Sequence, residues 1–534
     1  MTLLTLDRVS CAAPDGTLLF SDLTFSLGCE TIGLVGRNGS GKSTLLRAIA
    51  NEHPLASGTI ATSARVASLR QLPRTSDATV GDALECADAL DVIARIEAGE
   101  PRDDDLDKAD WTLPARLATA FAVAGFDDVS PDRPLATLSG GERTRLMLAG
   151  MLLGEPDVLL LDEPTNNLDA EGREAVARLL AGWPGGAIVA SHDRALLADI
   201  DTIVELTKTG VHRVGGGWEL FTERREAERE AAARELDKSR LDVAQARRER
   251  QYGLERQARS DARGRQVAAT RSQPKIVLGA RKRRAEATAG RVRSDGDAIV
   301  REAQASLDAA RERVDVLDPI RLDLPSCGLP ANRVLIEARG IVCQRGERRL
   351  FGPLDLAVRG SQRIALTGPN GSGKTSLLRI LLAIEPPAQG EVRCERGRMA
   401  LLDQNLTLLD GSSTVLEAMR RLAPDLDAHA AHAALAAAGF RNTWAKRDPE
   451  TLSGGERMRL ALAGLFSRRQ PPQLLVLDEP SNHLDLASLE MLEAALAGFD
   501  GALLCVSHDV AFRQALDLNE SISLDGGDAG HLKI

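Results

Sequence analysis

Two lysines in this 534-residue chain sit where a phosphate would be bound. Gly36-Arg37-Asn38-Gly39-Ser40-Gly41-Lys42-Ser43-Thr44 follows a short apolar run, Thr31 to Val35, and leads into Leu45-Leu46-Arg47-Ala48-Ile49. The arrangement returns as Gly368-Pro369-Asn370-Gly371-Ser372-Gly373-Lys374-Thr375-Ser376. A strand, a glycine-rich turn and a helix start together make a phosphate loop. The glycines let successive N–H groups curl round an anion, and the helix N-terminus adds positive potential. Lys42 and Lys374 are placed to bind the β- and γ-phosphates of ATP, and the hydroxyls of Ser43 and Thr375 to ligate Mg²⁺.

Two acidic pairs complement the lysines. Val158 to Leu161 ends in Asp162-Glu163, and Leu474 to Leu477 ends in Asp478-Glu479. Apolar runs of this length read as buried parallel strands, and carboxylates at their ends are costly without a cation. Asp162 and Asp478 are therefore expected in the Mg²⁺ shell. Glu163 and Glu479 are expected to polarise the attacking water. His192 and His508 each follow another apolar run, 30 positions after Asp162 and Asp478 respectively. The doubled offset favours contact with the γ-phosphate and orientation of the water over a core role. Gln71 and Gln404 follow short strand-like segments and are expected to touch Mg²⁺ and the water. Leu138-Ser139-Gly140-Gly141-Glu142 and Leu452-Ser453-Gly454-Gly455-Glu456 each open a helix on two glycines, a second kind of anion site. Each half already owns a phosphate loop, so the economical reading is crosswise. Lys42 would share a nucleotide with Ser453 and its glycines, and Lys374 with Ser139 and its glycines.

The elements that must position these residues come as one plan written twice, a duplicated α/β domain of about 200 residues. Between the copies, from about Glu219 to Pro325, the sequence is rich in Arg, Glu and Ala. Phe221 through Arg250 lacks breakers and predicts a long helix. Ser272-Gln273-Pro274 predicts a turn, and a second helix is expected from about Arg281 to Leu317. A helix of about 45 residues would reach about 65 Å. The expected organisation is a first domain at 1–221, a helical linker at 222–325 and a second domain at 326–534. From Arg247 to Arg293 the linker holds 15 Lys or Arg against 4 Asp or Glu, although the whole chain has a net charge of -10. A basic tip on an acidic protein points to a polyanionic partner; a solvated spacer is the plainer alternative.

Composition narrows the field further. No run approaches the roughly 20 apolar residues that span a bilayer, and the start of the chain has no signal-peptide pattern. The seven Cys are scattered without metal spacing, as expected for free thiols in a reducing, cytoplasmic compartment. Aromatics are only 3% of residues, so the cores must be aliphatic.

The LSGGE runs, lying between a phosphate loop and an Asp-Glu-Pro carboxylate pair, resemble the hallmark of ATP-binding cassettes. Two fused cassettes with a charged helical linker and no membrane domain resemble the ABC-F family, across nearly the whole chain. The resemblance implies two P-loop nucleotide-binding domains joined by a helical hairpin, ATP hydrolysis at two shared sites, and action on the ribosome. It implies that Asp169 and Asp485 couple the sites across the interface, and that the linker, with its tip near Arg263 to Arg284, reaches rRNA and tRNA. A monomer is expected, since the halves supply both sites. Asn482-His483-Leu484-Asp485 matches the family's usual run, while Asn166-Asn167-Leu168-Asp169 carries Asn167 where His is commoner, and Ser481 replaces Thr. Between glutamine and signature the first half is only about 19 residues longer than the second, so the helical arm of many members is expected to be absent. No aromatic occurs in Val9 to Asp15 or Ile341 to Gly346, where cassettes stack adenine, and Phe20, Phe25 and Phe351 fit strand cores better. A translation factor and an antibiotic-resistance protein remain equally open. The ATPase subunit of a transporter would have no use for a basic hairpin, and DNA-associated ATPases of this type carry zinc modules or far longer coiled coils.

Overall fold

The computed structural model describes all residues except 1, 70–77, 127–128, 139, 167, 169, 208–209, 270–293, 312, 315–321, 323, 347, 441, 483 and 525–534. The first half contributes β1 (Leu4–Ala12), β2 (Leu18–Leu27), β3 (Thr31–Gly36), β4 (Ser57–Thr62), β5 (Val66–Ser68), β6 (Val158–Asp162), β7 (Gly186–Ala190), β8 (Thr202–Thr207) and β9 (Gly210–Gly215). Strands β5-β6-β7-β3-β8-β9 form one sheet in that order. It is parallel apart from the β8–β9 hairpin. A second, antiparallel sheet runs β2-β1-β4. The second half repeats this with β10 (Val334–Arg345), β11 (Arg348–Arg359), β12 (Arg363–Thr367), β13 (Gln389–Cys394), β14 (Met399–Leu402), β15 (Leu474–Asp478), β16 (Ala502–Val506) and β17 (Glu520–Ser523). Its parallel sheet is β14-β15-β16-β12-β17 and its antiparallel sheet β11-β10-β13.

The strands form where apolar runs are too short for helices and are covered on both faces. Val158, Leu159, Leu160 and Leu161 of β6 are at most 1% exposed, and Leu474 to Leu477 of β15 are fully buried. One face of the first parallel sheet packs on the antiparallel sheet through Leu4, Leu6, Phe20, Ile32, Leu160 and Ile188. The other face packs on helices through Leu146, Leu159, Leu161 and Val189. Leu486, from the second half, is buried in that same cluster, so the two halves share packed surface. Because β7 lies between β6 and β3, the segments leaving their C-terminal ends converge on one edge, where ligands bind in open α/β sheets.

By contact the chain divides into one unit of Met1–Phe221 with Ile320–Ile534 and another of Thr222–Pro319. The long helix runs Trp218–Ala269, 52 residues, longer at both ends than Phe221 to Arg250. Arg, Gln and Ala carry it past Arg250, and two isolated glycines, Gly253 and Gly264, are not enough to end it. At 1.5 Å per residue it spans about 78 Å. A second helix covers 294–311. The two helices run antiparallel, with Arg250–Asp297 at 2.6 Å and Arg313–Glu235 at 2.8 Å. Their shared core is thin: Leu236, Val243, Leu307 and Ala310. The expected turn at Ser272-Gln273-Pro274, the start of the second helix at Arg281 and most of the basic tip lie outside the described residues. Among the described residues, no helix is long and apolar enough to cross a membrane.

The first turn of the long helix is fixed by Phe221, 1% exposed and packed in the helical core of the first half. Its ring centroid lies 5.4 Å from that of Trp218. Phe221→Ala should therefore lower stability by about 3–5 kcal/mol, measured as a urea midpoint by tryptophan fluorescence. Leu220→Ala, at a position 54% exposed, should change it little.

Candidate nucleotide sites

Each phosphate loop is shaped by glycines that other residues could not replace. Gly39 and Gly41 have φ of 79° and 97°, and Gly371 and Gly373 have 80° and 97°. A Cβ at Gly36 would stand 2.6 Å from the Leu206 carbonyl oxygen, and one at Gly368 2.6 Å from that of Leu524. Phe20 and Phe351 lie beneath the loops: a Cβ at Gly41 would meet the Phe20 ring at 2.9 Å, and one at Gly373 the Phe351 ring at 3.0 Å. Phe20, Phe25 and Phe351 are all buried, as strand-core residues should be.

Within the loops, Lys42 Nζ donates to the Gly36 carbonyl at 2.9 Å, and Lys374 Nζ to that of Gly368 at 2.8 Å. Lys42 is buried, which lowers its pKa, while Glu163, Asp485 and Asp162 oppose the shift. Ser40 Oγ and Ser372 Oγ are buried with no hydrogen-bond partner. Such orphaned hydroxyls beside a curled row of N–H groups fit a bound phosphate chain. The helices Lys42–Ile49 and Lys374–Leu381 start at the lysines, placing Ser43, Thr44, Thr375 and Ser376 in their first turns.

The catalytic candidates stand next to the loops. Glu163 and Glu479 both adopt left-handed backbone conformations, φ 47° and 50°, uncommon for a side-chain-bearing residue and typical of functional sites. Their N–H groups donate to the last residues of the neighbouring strands, Ala190 at 2.8 Å and Val506 at 3.0 Å. His192 Nε2 lies 3.2 Å from Glu163 Oε1, and His508 Nε2 lies 3.4 Å from Glu479 Oε1. Burial pushes the Glu163 carboxyl up to about 7, against the pull of Lys42. Burial likewise lifts Glu479 to about 7, against Lys374 and Arg173. Burial and Lys42 hold His192 down to about 3, so it is neutral, and both its ring nitrogens lack a hydrogen-bond partner.

The preceding acids differ between the halves. Asp478 is 7% exposed; burial raises its pKa, and a hydrogen bond from Thr375 opposes this. Asp162 is exposed. The expectation of a buried strand-end Asp thus holds in the second half and fails in the first, where β6 reaches the surface at its last residue. Thr375, Asp478 and Gln404 share one cavity of about 430 Å³ with Lys374, Glu479 and His508. An all-oxygen set of hydroxyl, carboxylate and amide suits Mg²⁺. Gln71 lies outside the described residues.

Residues from the opposite half reach each phosphate-loop region. Asp485 caps its own helix by accepting from Ser488 N–H, and its other oxygen accepts from Asn38 N–H, in the first phosphate loop, at 2.8 Å. Burial alone would lift this carboxyl, but those bonds hold it below its ordinary value. Arg459, one turn into helix Gly454–Phe466, carries its charge near Arg37. At the head of that helix Ser453 and Glu456 form a reciprocal cap. A Cβ at Gly455 would meet Ser488 Oγ at 1.8 Å, so the second signature glycine lets this helix press against helix Leu486–Ala497. On the other side, Leu168 of the first half lines the cavity that holds Lys374. Gly140 and Gly141 open helix Gly140–Leu152; Ser139 and Asp169 lie outside the described residues.

The sequence reading missed four residues here. Arg345, Leu350 and Asn482 line the Lys374 cavity. Arg173 donates to Asp193 at 2.9 Å and acts on Glu479 across the interface. Arg345 lies in the stretch Ile341 to Gly346, which has no aromatic ring but offers a guanidinium, which is also planar.

Comparison with known proteins fits this geometry. The ABC transporter family model matches residues 20–166 and 351–482. The chain is 33% identical to the tylosin resistance ATP-binding protein TlrC of Streptomyces fradiae, over 92% of this chain and 93% of that protein. It is 31% identical to the energy-dependent translational throttle protein EttA of Mycobacterium tuberculosis, over 95% of this chain and 88% of that protein. ABC transporter F family member 2 of Arabidopsis thaliana is 29% identical over 96% of this chain and 75% of that protein. The chain belongs to the ABC-F family of ATP-binding-cassette ATPases. As an ABC-F ATPase it binds and hydrolyses ATP.

The two glutamates make a stability prediction for this ABC-F ATPase. A carboxyl held at about 7 in the fold and at its ordinary 4.5 when unfolded binds protons more readily in the fold. Its contribution to stability is full below pH 4.5 and is lost as pH rises through 7. Without nucleotide, the Glu163→Gln, Glu479→Gln protein should melt higher than wild type at pH 8, by on the order of 2–3 kcal/mol per site. The gap should close towards pH 5. Melting curves across that range check it.

Proposed function

We propose that this ABC-F ATPase is a cytoplasmic monomer that closes its halves on two ATP molecules, binds the ribosome in that state, and leaves on hydrolysis. In this reading Lys42 and Lys374 hold the β- and γ-phosphates, with the N–H groups of residues 36–44 and 370–376 around them. Glu163 and Glu479 accept a proton from the attacking water. His192 and His508 orient that water and contact the γ-phosphate. Ser453, Gly454 and Gly455 complete the Lys42 site, and Ser139, Gly140 and Gly141 the Lys374 site. Asp485 and Asp169 report closure from one site to the other. Mg²⁺ would be held by Ser43, Gln71 and Asp162 in one site and Thr375, Gln404 and Asp478 in the other, and would neutralise developing phosphate charge.

The observation that carries the proposal is the bond from Asn38 N–H to Asp485, which brings a residue of one half onto the phosphate loop of the other. A nucleotide bound there would touch both halves, so ATP and ADP would favour different interfaces. The ribosomal partner rests on the ABC-F resemblance and on the basic linker, which suits a dense polyanion. Two relatives, a translational throttle protein and a tylosin resistance protein, stand at 31% and 33% identity.

The test uses the Glu163→Gln, Glu479→Gln protein. It should co-sediment with ribosomes through sucrose in ATP and not in ADP, and should fail to do so without residues 222–325. Protein that stays at the top of the gradient in ATP would sink the ribosomal reading; membrane fractions and DNA would then be probed in the same way. Tylosin tolerance of a susceptible host expressing the wild-type chain separates the two ribosomal roles.

A further inference from the structure

One side-chain pair ties the halves together outside the nucleotide chemistry. Arg194 of the first half donates twice to Glu493 of the second, at 2.8 and 3.0 Å. Each side chain is 13% exposed. Arg194 follows His192 by two residues and opens the short helix Arg194–Ala198. Glu493 lies on helix Leu486–Ala497, whose capping residue Asp485 accepts from Asn38 at the first phosphate loop. That helix is therefore pinned to the first half at two points, eight residues or about 12 Å apart. Arg194 is steadied on its own side by Trp218, whose ring centroid lies 6.0 Å from the guanidinium carbon.

Among the described residues, the other face of the interface has no such bidentate pair. Counted from His508 and from Asp169, the related positions are Val510 and Ala177. Neither carries a charge, and Val510 is 51% exposed. Opening the interface beside Lys42 must pull apart a bidentate, largely buried ion pair before water reaches either charge. Among the described residues, opening it beside Lys374 meets no equivalent bidentate pair. Loss of one partner in such pairs acts mainly on the rate of dissociation.

We propose that Arg194 and Glu493 are positioning residues that hold the Lys42 site closed longer than the Lys374 site, so that nucleotide leaves the two sites in a fixed order. The proposal rests on the two composite sites described under Proposed function.

The test loads full-length Glu163→Gln, Glu479→Gln protein with radiolabelled ATP and chases with unlabelled ATP. Release should show two phases, with Lys42→Ala removing the slow one and Lys374→Ala the fast one. Arg194→Val and Glu493→Ala, which copy the related positions, should each speed the slow phase about tenfold and leave the fast phase unchanged. The combined Arg194→Val, Glu493→Ala protein should be no faster than either alone, because both substitutions break the same pair. A slow phase that does not respond, an equal change in both phases, or additive effects would overturn the pair's role. Failure to retain any ATP would overturn the two-site reading itself, and this proposal with it.

Discussion

The structure is organised around a carboxylate that would be unfavourable anywhere else. Glu163 and Glu479 are largely buried and adopt backbone conformations that side-chain-bearing residues avoid. Each also lies against a histidine. Burial raises both carboxyls to about 7, which is a cost to the fold at neutral pH. The lysine of each phosphate loop offsets part of it. The strand order then follows from the need to bring loop, glutamate and histidine together. With β7 between β6 and β3, the His192 turn falls between the carboxylate and Lys42, and β16 does the same for His508 between β15 and β12. A parallel sheet is the simplest way to deliver three strand ends to one edge, and its double burial dictates the apolar runs that precede each polar residue.

That machinery is nearly identical in the two halves, but its surroundings are not. Asp478 is buried and bonded to Thr375, whereas Asp162 is exposed. Arg173 places a cation near Glu479, and the related position on the other side is Leu489. Arg345 lines the Lys374 cavity, while Val9 to Asp15 supplies no arginine to the other site. These differences lie one layer outside the lysines, glutamates and histidines. There they can alter timing without removing a group from the chemistry.

Which parts were legible follows from how each is encoded. The buried parallel strands, the phosphate loops and the strand-end positions of the glutamates and histidines were readable because each is fixed by local spacing: glycines for curled backbone, apolar runs for buried strands, polar residues at strand ends. The linker helix was legible only over Phe221 to Arg250; it runs on to Ala269 because, in a stretch rich in helix formers, an isolated glycine such as Gly253 is too weak to end it. Glu493 was not legible at all. It sits in a helix where a glutamate normally faces solvent, and its partner is 299 residues away. Leu168 was read as part of a motif, but its place in the Lys374 cavity depends on how the halves meet. The role of Gly455 likewise depends on Ser488 of a neighbouring helix. Contacts of this kind are set by packing between distant segments, which leaves no periodic trace.

Fusion of the two halves is what permits such differences. In a symmetric pair of identical subunits, a residue that contacts its partner does so twice, once from each side. An Arg194–Glu493 pair would then appear on both faces, and both sites would open against the same resistance. In one chain the positions can diverge independently, to Arg194 and Glu493 on one face and to Val510 and Ala177 on the other. The duplicated sites can then keep the same lysine, glutamate and histidine while the interface around them assigns each a different lifetime. Divergence that would unbalance a homodimer becomes, in a fused pair, a means of ordering two otherwise equivalent events.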